Sequence, residues 1–174
     1  MAHAGARATA ILCCAVLALS HTVHRLDHEH ENDGDDRNVH SHHKTIDLHA
    51  ASWDKVVASD NHVWVVLFHS LLCTSCQAFA SEWDSTRSMV DGLHWASVNI
   101  DDQDNIALAN KFGVLQEGIP NVKLVNAADV PLGIVSGEVP KADQVARSIR
   151  ETLANAGAAQ DLAGYFRSHG RGEL

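Results

Sequence analysis

The apolar residues of this chain fall into runs that switch between strand and helix periods. Val63-Trp64-Val65-Val66-Leu67-Phe68 is an unbroken apolar run, rich in β-branched side chains and too short for a full helix. Such a run predicts a central strand covered on both faces. Past His69-Ser70-Leu71-Leu72 the period changes, and Cys76, Phe79, Ala80, Trp83 and Val90 recur at helical spacing on one face. The segment Cys73-Thr74-Ser75-Cys76 therefore opens a helix. Upstream, a short apolar segment at 45–48 precedes a helix near 52–58, capped by Ser52 and carrying Trp53, Val56 and Val57. Downstream, 95–100 reads as a third strand, and Ile106, Ala107, Ala109 and Phe112 mark a short helix stopped by Gly113. Two further strands, 121–125 and 133–135, flank a turn at 126–131, and a last helix starts at Pro140 and buries Val145, Ile149 and Leu153. Strands alternating with helices predict an α/β domain, a central sheet with helices on both faces.

The two ends of the chain do not join this pattern. Arg7 followed by an apolar stretch of about 12 residues and by Ala18-Leu19-Ser20 reads as a cleavable signal peptide over 1–20, too short to span a bilayer. An uncleaved anchor is the alternative; after cleavage no membrane association is expected. Residues 21–44 interleave histidines, among them His28, His30, His40, His42 and His43, with acids such as Asp27, Glu29 and Asp33. So few apolar residues cannot offset the entropy of ordering, and the segment reads as a disordered linker. The domain proper is expected over 45–155, with a C-terminal tail over 156–174. The chain ends Arg171-Gly172-Glu173-Leu174, which resembles the Lys-Asp-Glu-Leu class of retrieval signals, with Gly where an acid is usual. The endoplasmic reticulum lumen is the expected location, with secretion as the alternative.

Composition narrows the function classes. Of 174 residues 45% are hydrophobic and 20% charged, which suits a single core of roughly 100–130 residues and not a membrane bundle. Lys and Arg number 13 against 22 acids, for a net charge of −9. No basic face is available for phosphates, so nucleic acid is excluded as a partner.

Cys13 and Cys14 leave with the signal peptide, so only Cys73 and Cys76 reach a compartment where disulfides persist. Linking them closes a tiny loop and removes little unfolded-state entropy, so the pair is better explained by chemistry than by stability. At the start of a helix the first sulfur meets unpaired N–H groups and the positive end of the macrodipole, which favour thiolate over thiol. A free thiol near pKa 8.5 can fall to about 7 or below in such a place. Cys73 would attack a substrate disulfide and Cys76, one turn further in, would resolve the mixed disulfide; run backward, the oxidised Cys73–Cys76 pair donates its disulfide.

These residues carry a family resemblance. The signal peptide, the run Ser59-Asp60-Asn61-His62-Val63-Trp64-Val65-Val66-Leu67-Phe68, the Cys73-Thr74-Ser75-Cys76 motif and the later Gly118-Ile119-Pro120 resemble a catalytic thioredoxin-type domain of the protein disulfide isomerase family, over about 45–153. The resemblance implies a thioredoxin fold and a thiol–disulfide oxidoreductase forming, reducing or isomerising protein disulfides. It implies a cis bond before Pro120, with Ile119, Pro120 and Leu72 docking an extended substrate. Cysteine-containing client proteins of the secretory pathway, and glutathione or a recycling oxidoreductase, are the implied partners. No organic cofactor is implied.

The departures from that family are physically coherent. Its Trp before the first cysteine is Leu72, its Gly-His dipeptide is Thr74-Ser75, its helix-kinking Pro is Ser81, and Gly137-Glu138 stands where Gly-Arg is common. A buried carboxylate is replaced by Leu67, and its lysine partner by Ser97 or Asn99. Losing both avoids leaving one charge alone in a low dielectric. Deprotonation of Cys76 should then be slower. Without a histidine in the dipeptide the Cys73 thiolate loses an imidazolium, so the pair should be less oxidising, with His69 the one nearby candidate for part of that charge.

Alternatives stay open at this level. A zinc site would need His94 or the N-terminal histidines to complete Cys73 and Cys76, at no recognised spacing. His40, His42 and His43 by themselves suit weak metal binding. A thioredoxin-like module that binds clients or acts as a chaperone without turnover is the second functional reading. The remaining residues favour structural roles: Trp53, Trp64, Trp83 and Trp95 as core, Asp101, Asp102 and Asp104 as solvated helix caps, and Gln116 and Glu117 as one wall of the groove before Pro120.

Overall fold

The computed structural model describes residues 44–167. The expected signal peptide and linker, with His40, His42 and His43, and the terminal Arg171–Leu174 lie outside the described residues. Five strands form one mixed sheet in the order β1-β3-β2-β4-β5: β1 Thr45–Asp47, β2 Trp64–His69, β3 His94–Asn99, β4 Asn121–Val125 and β5 Leu132–Ser136. β1, β3 and β2 are parallel, while β4 runs antiparallel to β2 and β5 antiparallel to β4. This is the thioredoxin fold. Among the described residues no helix is long and apolar enough to cross a membrane.

Strand β2 is buried from Trp64 to Phe68, as its unbroken apolar run requires, and its alternating side chains feed two cores. Val63, Val65 and Leu67 pack with Phe79 and Trp83 of helix α2 (Thr74–Arg87) and with Val145, Ile149 and Leu153 of α5 (Ala142–Asn155). Trp64, Val66 and Phe68 face the other way, against Trp53 of α1 (Ala50–Trp53) and Leu108 and Phe112 of and after α3 (Ile106–Lys111). All four tryptophans are core: Trp83 meets Trp95 edge to face at 5.2 Å, and Trp53 meets Phe112 in the same way at 4.9 Å. Truncating a buried aromatic of this kind costs about 3–5 kcal/mol.

Where elements depart from the sequence pattern, a distant side chain is responsible. Helix α1 begins at Ala50, ahead of Ser52, because Asn105 Oδ1 accepts from Ala50 N–H at 2.7 Å and Ser52 Oγ, now inside the first turn, accepts from His49 N–H. The helix continues as a π-helical turn over Asp54–Ala58. Helix α5 starts at Ala142, where Glu82 of α2 accepts from Ala142 N–H at 2.9 Å. Gly113 stops α3 at φ 72°, as expected, and a further turn, α4 (Val114–Glu117), follows where only a loop was predicted, anchored by fully buried Val114.

The chain from residue 156 does not run free as a tail. β6 (Ala159–Gln160) and β7 (Phe166–Arg167) form a hairpin whose Phe166 accepts from Val63 N–H and donates to the Gly92 carbonyl, both at 2.8 Å. Phe166 packs on the α2/α5 core, so the folded unit reaches Arg167 and not only residue 155. Gly92 sits at φ 76°, and a Cβ there would collide with the Gly164 carbonyl and lie 2.7 Å from Gln160 Nε2. Gly92→Ala is therefore expected to cost more than about 1 kcal/mol in urea unfolding and to speed amide exchange at Phe166. Unchanged Phe166 protection would show that the hairpin is not held through this contact.

Candidate active site

The β2 strand delivers the chain to a tight turn, Ser70-Leu71-Leu72, and Cys73 then caps α2. Cys73 is bonded to Cys76, and the Cys76 N–H donates to Cys73 Sγ at 3.1 Å. The cap is thus a sulfur in the place where a side-chain oxygen usually satisfies the first-turn N–H groups, so a thiolate formed there on reduction meets a donor already aimed at it. Cys73 is partly exposed and Cys76 is buried. That difference in access suits one sulfur to meeting a substrate and the other to meeting only its neighbour.

The antiparallel register of β4 against β2 pairs Phe68 with Asn121, which brings the preceding loop to the cysteines. The Ile119–Pro120 bond is cis, and the Ile119 carbonyl oxygen lies 3.8 Å from Cys73 Sγ. Gly118, at φ 90° and ψ 170°, takes a conformation open only to glycine. Leu71 and Leu72 are 65% and 87% exposed beside Cys73, an apolar rim next to a backbone edge. Thr74 and Ser75 are exposed on the first turn of α2. The structure therefore brings Cys73, Cys76, Leu72, Ile119 and Pro120 to one place.

Two polar networks that the sequence reading did not find hold this site. Asp101, expected as a solvated cap, accepts from Ser70 Oγ at 2.6 Å and Leu71 N–H at 2.7 Å, and Ser70 Oγ in turn accepts from Leu72 N–H at 3.0 Å. These hydrogen bonds, that from Ser70 first, hold the Asp101 carboxyl below the usual range. Asp102 does act as the cap, accepting from Asp104 N–H. Glu117, expected as a groove wall, turns instead onto Lys123, whose Nζ is 2.7 and 2.6 Å from its two oxygens. Asn121 Nδ2 and Ser136 Oγ complete the carboxylate's partners, each at 3.0 Å. Lys123 is 4% exposed, so the pair pins the cis-proline loop to β4 from beneath, and the bond from Lys123 lowers the Glu117 pKa. Neither network has a local motif; the one clue was a lysine inside the apolar run Val122–Val125.

The inner side of the site is a groove of about 380 Å³ where Cys76, Leu67, Ser97, Trp83, His69 and Asp47 meet. Leu67 and Asp47 both pair with Ser97, on either side of β3, and Ser97 Oγ donates to Asp47 Oδ1 in a short hydrogen bond. A carboxylate is thus present in the row where Leu67 lacks one. His69 does not replace the lost imidazolium: burial lowers its pKa, only partly opposed by Asp47 and Asp101, so it is neutral near pH 7. His94 cannot complete a zinc site with the cysteines, because it pairs with Trp64 at the start of β2 while Cys73 follows the end of that strand.

Comparison with known proteins agrees with this geometry. Residues 44–151 match the family model Thioredoxin. Protein disulfide-isomerase A6 of Mesocricetus auratus is 27% identical over 107 residues, and that of Homo sapiens 28% over the same length. In both, the match covers 60% of this chain and 24% of the relative, so the chain spans about a quarter of the length of those proteins. Among solved structures, the Trx4 domain of ERdj5 is similar with a TM-score of 0.53 and 25% identity, covering 64% of this chain and 96% of that one. Chloroplastic thioredoxin z is similar with a TM-score of 0.52 and 20% identity, over 64% and 96%.

Glu117→Gln is expected to destabilise the domain by about 1–3 kcal/mol in denaturant unfolding, because it takes the carboxylate from buried Lys123 while water can still reach the exposed side of the pair. Adding Lys123→Met should recover most of that loss, and a double variant as unstable as the single one would refute the pairing. Because the bond from Lys123 depresses Glu117 in the fold, its contribution is complete above the ordinary glutamate range and is lost as pH falls through the lower folded value. The acid limb of the stability profile should therefore be shallower in the double variant than in the wild type.

Proposed function

The chain belongs to the thioredoxin family, as a domain of the protein disulfide isomerase type, and on that premise we propose that it exchanges disulfides with cysteine-containing proteins of the secretory lumen. The observation that carries this reading is the Cys73 sulfur at the start of α2, facing Cys76 N–H on one side and the Ile119 carbonyl on the other. In the reducing direction the Cys73 thiolate attacks one sulfur of a client disulfide, a mixed disulfide forms, and the other client sulfur leaves as thiolate. Cys76 then loses its proton and attacks Cys73; the second client thiolate leaves, and the Cys73–Cys76 bond holds the two electrons' worth of oxidation. Glutathione or a recycling dithiol resets the pair. The same steps reversed oxidise a client, and the redox poise of the compartment sets the direction.

Leu72, Ile119 and Pro120 would dock an extended client segment beside Cys73, the leucine by apolar contact and the loop by its backbone. Asp47 is the carboxylate that shares the groove with Cys76, and it would receive the Cys76 proton through water, in place of an acid at Leu67. With no imidazolium near Cys73, a potential between about −200 and −270 mV is expected. The signal-peptide pattern of residues 1–20 and the resemblance of Arg171–Leu174 to a retrieval signal support this lumenal reading.

The decisive experiment combines redox equilibration in glutathione buffers with insulin reduction and reactivation of scrambled ribonuclease. Cys73→Ser is expected to abolish both activities, and Cys76→Ser to accumulate a client or glutathione adduct on Cys73. Asp47→Asn should slow release of that adduct from otherwise wild-type protein by on the order of tenfold, and Leu67→Glu should raise turnover. A potential near −120 mV would overturn the account of the dipeptide. Client binding without either activity would replace it with the non-turnover module.

A further inference from the structure

At the end of the sheet opposite the cysteines, three side chains with metal-ligating atoms converge. Asp60 lies in the turn before β2, His62 precedes that strand, and His94 opens β3 directly beside Trp64. One ligating atom from each falls within 4.8 Å of the others, and all three residues are partly buried. Asp60 Oδ1 is 2.8 Å from His62 Nδ1, and Asp60 Oδ2 is 3.9 Å from His94 Nε2. Ligands on a tetrahedral ion with bonds near 2.0–2.1 Å stand about 3.3 Å apart, so small side-chain movements would bring one Asp60 oxygen and one nitrogen of each histidine onto one ion.

The surroundings are those of a built site. His94 is stacked between Trp64 at 4.7 Å and Tyr165 at 4.6 Å, which fixes its ring plane. Trp64 Nε1 donates to Asp60 Oδ2 at 2.9 Å, and His62 N–H donates to Asp60 Oδ1 at 3.1 Å, which orients the carboxylate. Asn126 Nδ2 donates to the Val57, Asp60 and His62 carbonyls, so the ligand-bearing loop is held on β4. On the far side of the His62 ring, Nε2 is 3.3 Å from Asp161 Oδ2. A metal-bound imidazole ordinarily donates its other N–H to a carboxylate, and Asp161 stands where that partner is required.

A neutral imidazole has one N–H and cannot donate to Asp60 and Asp161 together. His62 Nδ1 stands 2.8 Å from Asp60 Oδ1, and its Nε2 stands 3.2 Å from Arg167 Nη2. With metal on Nδ1, the ring carries its one proton on Nε2, where it faces Asp161, which also accepts from Arg167 Nε at 2.8 Å. We propose that Asp60, His62 and His94 form a binding site for one zinc-type divalent cation, with Asp161 as the outer carboxylate. Two imidazoles and one carboxylate select a borderline transition-metal ion over calcium or magnesium. Because Asp161 and Tyr165 belong to the C-terminal hairpin, the ion would clamp that hairpin to the sheet. The site is independent of the Cys73–Cys76 chemistry.

The test uses the full chain, oxidised so that the cysteines are not ligands, stripped with chelator and titrated with Zn2+. Wild type is expected to bind one more equivalent than Asp60→Asn/His94→Gln, against the same background from the linker histidines, and only wild type should gain in thermal midpoint. Affinity at that extra site should fall tenfold or more in either single variant. Zn2+ should also shift the ring resonances of His62 and His94 in wild type, a readout that needs no variant to fold. Equal stoichiometry, or ring signals of His62 and His94 that stay unmoved while the linker histidines respond, would overturn the proposal.

Discussion

Strand β2 constrains everything else in this domain. It is covered on both faces, paired on both edges, and carries almost no polar side chain until His69. Burial of that kind makes register strict, since a one-residue slip would exchange the two cores. With register held, the chain leaving β2 must place Cys73 at the head of α2, and the antiparallel neighbour β4 must place the Ile119–Pro120 loop across from it. The Cys73 sulfur and the Ile119–Pro120 loop meet because one apolar strand cannot shift.

Polar chemistry is then arranged at the two ends of the sheet, in contrasting ways. At the cysteine end, Asp101 holds the approach turn and Glu117 with Lys123 holds the loop, so the flexible connections on either side of Cys73 are tied down by charge-assisted bonds. Leu71 and Leu72 give their backbone N–H groups to that turn and keep their side chains exposed. At the opposite end, rings of Trp64, His94, Tyr165 and His62 pack around Asp60, joining the hairpin to the sheet. The inner groove has a third character: a buried sulfur, an apolar Leu67 and a carboxylate displaced across β3 to Asp47.

Local pattern was a reliable guide wherever burial alone decides structure. The five strands, the helix opened by the cysteines, the Gly113 stop and the four core tryptophans could all be read from periodicity, because apolar spacing and glycine conformational freedom act within a few residues. Local pattern says less where a polar residue can serve two purposes. Ser52 has the composition of a cap and Asp101 that of a solvated acid, yet one sits inside its helix and the other carries the active-site turn. Glu117 looks like a groove residue until the buried Lys123 is seen beneath it.

Chain order and hydrophobic spacing were sufficient for the fold class, for the pair Cys73 and Cys76 at a helix start, and, through family resemblance, for Ile119 and Pro120 beside them. Tertiary structure alone decided which charges support that pair and which residues gather elsewhere. Ser70 and Asp101 are 31 residues apart, and His62 and Asp161 are 99 apart. No local spacing reports such contacts. The partner and burial of a polar side chain exist only after the sheet has closed, and those two quantities set whether it caps, ligates, transfers a proton or merely faces water.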